Sequence, residues 1–332
     1  MSPPTTDNNN LAENLQKQFR SVPVTTENNE AKRALIHAMD RVMAIPGERL
    51  LVQAGLLPPV DGDNAAARDK QEGRDEPFVL FDNACGAGLI TGLLQKQASP
   101  EVLRESRFVC ADLNANLVDI VKWRAETDGW EGTVETAVVD AQDTGLPSNS
   151  FSHVVINFAI HIIPKPDVAL REAYRLLRPD GILAFTVWTH DNTGWIPDMR
   201  SAFAALPFAT AAAPLMPDSV PMAVHGLDQW IDPAGIHAEL ASPSSPSFKD
   251  VSIETLEHTS HVDSAEYFVE TFDMMLKWMM QSYWSEESRQ TAAEEGGAKI
   301  NELLINHLWH KYAGKGWDIK WKSILVTCRK PR

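Results

Sequence analysis

Short apolar runs closed by an acidic or amide residue recur through the middle of the chain, and amphipathic stretches separate them. Phe78-Val79-Leu80-Phe81 runs into Asp82 and then Gly86-Ala87-Gly88. Arg107-Phe108-Val109-Cys110-Ala111 ends at Asp112, residues 134–139 end at Asp140, and His153-Val154-Val155-Ile156 ends at Asn157. A fifth run, residues 182–188, follows Arg178-Pro179-Asp180-Gly181. Between these runs, residues 89–96, 117–126 and 168–177 repeat apolar positions at helical spacing. Continuously apolar strands alternating with helices predict a parallel, doubly wound α/β sheet over residues 78–190.

The flanks follow other patterns. Residues 1–10 are polar and predict a disordered tail. Residues 11–57 predict an N-terminal helical cap, with Leu35, Met39, Val42 and Met43 on one face and Pro46-Gly47 as punctuation. Residues 58–77 combine Pro58-Pro59, Asp61-Gly62 and a mixed-charge run, which predicts a flexible linker. Beyond Trp188 the strand–helix alternation stops. Residues 191–310 predict a helical lid with one core strand: a short helix pair over 227–240, a strand over 248–257, a Met- and aromatic-rich helix over 265–283, and a helix over 286–310 broken near Gly296-Gly297. Residues 311–332 predict the final core strand.

Composition narrows the partners. The chain has 332 residues, 44% hydrophobic and 23% charged, which suits one α/β core with insertions. With 30 Lys and Arg against 45 Asp and Glu, the net charge is −15. Such a surface repels phosphate backbones and anionic lipid heads, so neither nucleic acid nor membrane is expected as a partner. No apolar run is long enough to span a bilayer, and residues 1–10 lack the basic-then-apolar order of a signal peptide. Cys85, Cys110 and Cys328 are too scattered for a disulfide framework or a zinc knuckle, so a cytoplasmic location is expected. His258, His261 and Asp263 pair with nothing at a known ligand spacing, so no metal is expected.

Asp82, Asp112, Asp140 and Asn157 close the first four strands, and in an open parallel sheet those ends line the ligand-binding edge. Gly86 and Gly88 allow the backbone to approach a ligand closely. Asp112 lies 24 residues beyond Gly88, where an acid grips ribose hydroxyls. A nucleoside site is the result. The dinucleotide fingerprint needs a third glycine at position 91, which is Thr91, and the next glycine is Gly92. A cofactor without a pyrophosphate fits better, which points to S-adenosylmethionine (SAM), with S-adenosylhomocysteine (SAH) as its product. Asp140 can then accept from the adenine amine while backbone N–H groups near Ala141 and Gln142 read the ring.

These motifs resemble the class I SAM-dependent methyltransferases. Phe81-Asp82-Asn83-Ala84-Cys85-Gly86-Ala87-Gly88 is similar to their first motif, and Ala111-Asp112-Leu113-Asn114 to the acidic end of their second strand. The run from Asp140-Ala141-Gln142-Asp143 to Leu146-Pro147 is similar to their third motif. Leu177-Arg178-Pro179-Asp180-Gly181-Ile182 resembles the turn before their fifth strand, with Asp180 where glycine is usual. The match spans residues 77–190. Asp82-Asn83-Ala84-Cys85-Gly86, Asp143-Thr144-Gly145-Leu146-Pro147, Trp195-Ile196-Pro197 and Tyr283-Trp284-Ser285-Glu286-Glu287 narrow it to the fungal natural-product methyltransferases, a group that includes the gliotoxin-type bis-thiomethyltransferases. Residues 58–77 and the polar tail fall outside that pattern.

The resemblance implies a Rossmann-like, seven-stranded fold with N-terminal helices and a helical lid. It implies methyl transfer from SAM to a small natural product, on S or O first, with N also among the acceptors. Asp82, Ala84, Gly86 and Gly88 would meet the methionine end of the cofactor, with Asn157 beside it. Asp112 would hold the ribose, Leu113 the adenine face, and Asp140 and Ala141 the adenine edge. Phe158 and His161 follow the fourth strand where acceptors bind, with His161 as candidate base. Trp188, Trp195, Phe272, Met275 and Met279 supply flat, adaptable surface for an aromatic or cyclic-peptide acceptor. A monomer or weak dimer is expected. Two other outcomes stay open: a SAM-binding protein of this fold that steers a cyclisation or rearrangement, and a non-enzymatic SAM-binding regulator.

Overall fold

The computed structural model describes residues 28–59, 76–209 and 214–332. The expected tail over 1–10, the start of the helical cap and most of the 58–77 linker lie outside the described residues.

The strands are β1 (Val79–Asn83), β2 (Arg107–Asp112), β3 (Thr133–Val138), β4 (Phe151–Asn157), β5 (Leu177–Trp188), β6 (Lys249–Val262) and β7 (Trp317–Arg329). They form one seven-stranded sheet in the order β3-β2-β1-β4-β5-β7-β6. β1 pairs in parallel with β2 and β4, β2 with β3, and β4 with β5, whereas β7 is antiparallel to β5. This is the doubly wound, Rossmann-like arrangement that the alternation predicts. The helices are α1 (Asn29–Gln53), α2 (Leu89–Gln97), α3 (Pro100–Glu105), α4 (Ala115–Asp128), α5 (Pro166–Leu176), α6 (Ile196–Ala204), α7 (Pro233–Ala241), α8 (Ala265–Thr271), α9 (Asp273–Tyr283), α10 (Glu286–Glu295) and α11 (Gly297–Lys311). Among the described residues, no helix is long and apolar enough to cross a membrane.

The chain divides into two compact units. One comprises residues up to His190 with Ala223–Leu256 and Ser323–Arg332; the other comprises Asp191–Met222 and Glu257–Lys322. In the first unit, alternate strand residues feed opposite faces. Phe81, Val154, Ile156 and Phe185 join Ala169, Leu170, Ala173 and Leu176 of α5 on one face. Leu80, Phe108 and Val155 join Leu50 and Leu51 of α1 and Ile90 and Leu94 of α2 on the other. Burial on both faces explains why β4 reads as an unbroken apolar run. In the second unit, the rings of Trp317, Phe268, Phe272 and Trp321 form a chain of tilted contacts in that order, with centroids 4.8 to 6.1 Å apart.

Several boundaries differ from expectation. α1 does not stop at Pro46-Gly47 but runs through them to Gln53. Proline costs the helix one hydrogen bond, yet tertiary packing outweighs it. At Gly47 a Cβ would stand only 3.2 Å from Leu93 Cδ1, so the glycine lets α1 lie close against α2. The Met-rich helix is two helices meeting at Phe272, whose ring is buried among Phe268, Trp195 and Trp321. The helix over 286–310 breaks at Gly296, as expected. α3 lies outside the expected elements, and α6 adds a helix to the expected helical lid.

Candidate functional site

Strand order reverses between β1 and β4, and the crevice beyond their carboxyl ends is where doubly wound sheets bind ligands. The turn after β1 is built for close approach. Ala84, Gly86 and Gly88 all have left-handed backbone, with φ of 56°, 55° and 78°. Cys85 N donates to Ala111 O at 2.9 Å and Gly88 N to Cys85 O at 2.9 Å, which closes the turn. Its outer side is covered by α1: a Cβ on Gly86 would stand 3.3 Å from Met39 Cε. Cys85 itself is buried, and burial pushes its thiol well up, as suits a packed residue and not a nucleophile.

Two aspartates define this edge. Asp112 clasps the turn: Oδ2 accepts from Gly86 N at 2.9 Å and Oδ1 from Asn114 N at 2.9 Å. Burial raises its carboxyl above the ordinary range, against those hydrogen bonds. Asp82 is 1% exposed. Its Oδ2 accepts from Thr91 Oγ1 at 2.8 Å and Thr91 N at 3.2 Å. Its Oδ1 and the neighbouring Asn83 Nδ2 have no hydrogen-bond partner among the described residues. Burial pushes the Asp82 carboxyl up to about 7; Thr91 opposes this and Asp112 adds to it.

Arg124 supports the turn from behind. It is 3% exposed and donates through Nη1 to Ala87 O at 3.1 Å and Gly88 O at 3.2 Å. Its charge is met by Asp128 at 3.5 Å and Asp40 at 3.7 Å. A Cβ on Gly92 would stand 2.5 Å from Arg124 Nη2, so only glycine leaves room for this arginine. Neither Arg124 nor Thr91 was picked out from sequence as a site residue. The available signal was an arginine on the apolar stripe of Leu117, Ile120 and Val121.

After β3 the chain turns at Asp140, whose Oδ1 accepts from Gln142 N at 2.9 Å and Gln142 Nε2 at 3.0 Å. The Gln142 backbone N–H is therefore already engaged, which corrects the expectation that it reads an adenine ring; Ala141, buried beside it, is unaffected. Leu113 is half-buried next to Asp112. At the end of β4, Asn157 Oδ1 accepts from Thr186 Oγ1 at 2.7 Å. Phe158 adopts a left-handed φ of 52° and is pinned there, its N donating to Thr186 Oγ1 at 2.9 Å and Thr186 O at 3.1 Å. Non-glycine residues held in this region mark sites where neighbours fix the geometry. The Phe158 ring stacks on Trp188 with centroids 4.0 Å apart.

His161 is 5% exposed, and its Nδ1 has no partner among the described residues. Burial, with help from the neighbouring His225, drives its pKa down to about 3. The segment around His225 is tied across it: Val224 N donates to His161 O at 3.0 Å and His225 Nε2 pairs with Ile160 O at 3.2 Å. In the second unit, Trp195 and Phe272 lie 6.4 Å apart. Met275 is half-buried on α9, whereas Phe272 and Met279 are buried, at 5% and 0% exposure.

Residues 81–185 match the sequence pattern described as a methyltransferase domain. Relatives in sequence include the methyltransferase tpcH of Aspergillus fumigatus, 32% identical over 256 residues, 77% of this chain and 86% of that protein. The methyltransferase ktnA of Aspergillus niger is 27% identical over 274 residues, covering 76% and 85%. The acetylaranotin bis-thiomethyltransferase of Aspergillus terreus is 27% identical over 256 residues, covering 77% and 83%.

Proposed function

The chain belongs to the SAM-dependent methyltransferases, and from that premise we propose that it methylates a small-molecule natural product on sulfur or oxygen. The observation that carries this reading is the joint placement of Asp82, Asp112 and Asn157 around the switch point, with the buried Asp82 Oδ1 and Asn83 Nδ2 left without partners among the described residues. Unpaired buried polar atoms are costly, and a bound ligand that supplies partners offsets that cost. The residues fit SAM. Asp82, Ala84, Gly86 and Gly88 take its methionine end with Asn157, Asp112 takes the ribose with Leu113 against the base, and Asp140 with Ala141 takes the adenine edge.

When bound, SAM supplies a methyl group already activated on a sulfonium, and the work left to the protein is placement. Asp112 and Arg124 hold the Gly86–Gly88 turn, and Thr186 fixes Asn157 and Phe158 at the neighbouring strand end. Phe158 and Trp188 give the acceptor a flat aromatic wall. Of the residues assigned to the acceptor from sequence, Trp195 and Phe272 lie 6.4 Å apart within the second unit, and Met275 and Met279 lie on α9.

His161 would orient the acceptor by accepting a hydrogen bond at a ring nitrogen, without carrying its proton away. With a pKa of about 3 it stays neutral at working pH, so one ring nitrogen is always an acceptor. So weak a base does not deprotonate the acceptor, so the reading favours a nucleophile that reaches the site already ionised. A thiol, with a reference pKa of about 8.5, fits better than a phenol near 10. We place the reaction in the cytoplasm and expect a monomer or weak dimer.

The test is incubation of the full chain with methyl-labelled SAM and a panel of aromatic thiols, cyclic dithiols, phenols and amines. Label in a thiol or phenol, lost when SAH is added in excess, is expected. Binding of SAH with no label in any of them would overturn the acceptor assignment.

A further inference from the structure

Glu172 is a charged residue on the apolar stripe of α5, beside Ala169, Ala173 and Leu176, and it is 8% exposed. Its carboxylate collects four hydrogen bonds. Thr144 donates from N at 2.9 Å and from Oγ1 at 2.5 Å, and Arg175 donates from Nε and Nη2, each at 2.8 Å. Arg175 then reaches past Glu172 to the same loop: Nη2 donates to Leu146 O and Nη1 to Ser148 Oγ, both at 2.8 Å. Burial alone raises the Glu172 carboxyl, but Arg175 and Thr144 outweigh it and hold it below the usual range.

A surface pair on one helix needs none of this. Charge-assisted bonds of this density fix what they touch, and they touch residues 144, 146 and 148. The loop begins at Asp140, and the two ends are stiffly joined. Asp143 N donates to Asp140 O at 3.0 Å, Asp140 Oδ1 caps Gln142, and Gln142 Oε1 accepts from Lys165 N at 3.1 Å. A displacement at Thr144 is therefore passed to Asp140 and Ala141 across one tight turn.

We propose that Glu172 and Arg175 are positioning residues that set adenine recognition, by holding the 140–148 loop where Asp140 and Ala141 meet the adenine edge. The inference rests on the assignment of that loop to adenine. Neither side chain touches the ligand; both act through Thr144 and Leu146.

The test compares calorimetric binding of SAH and of S-inosylhomocysteine, in which a carbonyl replaces the adenine amine, to the full-length protein. The wild type prefers SAH, and Asp140→Ala removes that preference. Glu172→Gln is expected to lower the preference by about tenfold, with S-inosylhomocysteine binding little changed. A pair that only stabilises the fold would weaken both ligands together and leave their ratio intact, which overturns the inference. Loss of preference in Asp140→Ala with none in Glu172→Gln does the same while sparing the adenine assignment. No preference in the wild type sinks both. Should Glu172→Gln fail to fold, Thr144→Val, which deletes the hydroxyl's bond to Glu172 and the one it accepts from Leu146 N, is expected to reduce the ratio about threefold, and an unchanged ratio there is equally contradictory.

Discussion

Asp82 in the first unit and Asp198 in the second are both almost fully buried, at 1% and 5% exposure, yet their surroundings are opposites. Asp198 is saturated. Its Oδ1 accepts from Lys311 Nζ at 2.7 Å and from Tyr312 OH, and its Oδ2 accepts from Trp317 Nε1 at 2.9 Å. One carboxylate thus ties α6 to the end of α11 and the start of β7. Among the described residues, Asp82 takes both its bonds from Thr91 on one oxygen and leaves the other without a partner. A saturated buried charge holds a fold together, whereas one left short costs stability, and the proposed function assigns that cost at Asp82 to a ligand.

The largest expected effect is on Asp198. Asp198→Ala leaves Tyr312 OH and Trp317 Nε1 without their acceptor, while the part-exposed Lys311 keeps Ser201 and solvent, and about 2–4 kcal/mol of stability is expected to go in urea unfolding at neutral pH. Asp82→Asn keeps an oxygen for Thr91 and removes a buried charge, so it is expected to stay within about 1 kcal/mol of wild type. Equal costs at the two sites would erase the contrast.

Asp112→Ala should act on the ligand more than on the fold. It releases Gly86 N and Asn114 N and removes the proposed ribose partner, so SAH affinity measured by calorimetry is expected to fall at least about tenfold. Unchanged affinity would move the nucleoside elsewhere.

Dependence on pH sharpens the comparison. The folded Asp82 carboxyl titrates at about 7, against about 3.9 when unfolded. The folded state holds this proton more tightly, so the contribution is present below about pH 4 and is lost as pH rises to about 7. His161 has the opposite sense: its folded pKa is about 3 against about 6.5 unfolded, so its contribution is present above about pH 6.5 and lost as pH falls. Asp82→Asn should flatten the stability slope between about pH 4 and 7, and His161→Gln should flatten it on the acid side of about pH 6.5.

The smallest effect concerns Ala84, held at φ 56° where its Cβ is disfavoured. Ala84→Gly relieves that strain and adds unfolded-chain entropy in return, for a net gain of about 0.5 kcal/mol, read as a slightly higher melting temperature. A lower melting temperature would mean that the methyl group packs usefully.

What the sequence made legible is what repeats. Apolar runs ending in Asp82, Asp112, Asp140 and Asn157 mark the strands and their ligand edge, because a buried parallel strand has to be apolar and its end is where polar chemistry can begin. Hidden from it were single residues whose partners are distant in the chain. Arg124 meets Ala87 and Gly88, and Glu172 meets Thr144, across 28 or more residues. Each shows in the sequence only as a charge on an apolar helix face. The left-handed Phe158 is invisible for the same reason, since Thr186 on the next strand enforces it. Pro46 misleads in the other direction: local propensity argues for a stop, and the packing of Gly47 on α2 overrides it.

The most direct measurement is the rise in melting temperature that saturating SAH produces in the wild type, Asp82→Asn and Asp198→Asn. Asp198→Asn is expected to melt well below wild type yet keep the full rise. Asp82→Asn is expected to melt near wild type and lose most of the rise. A full rise in Asp82→Asn would contradict the claim that the incomplete aspartate is kept for the cofactor.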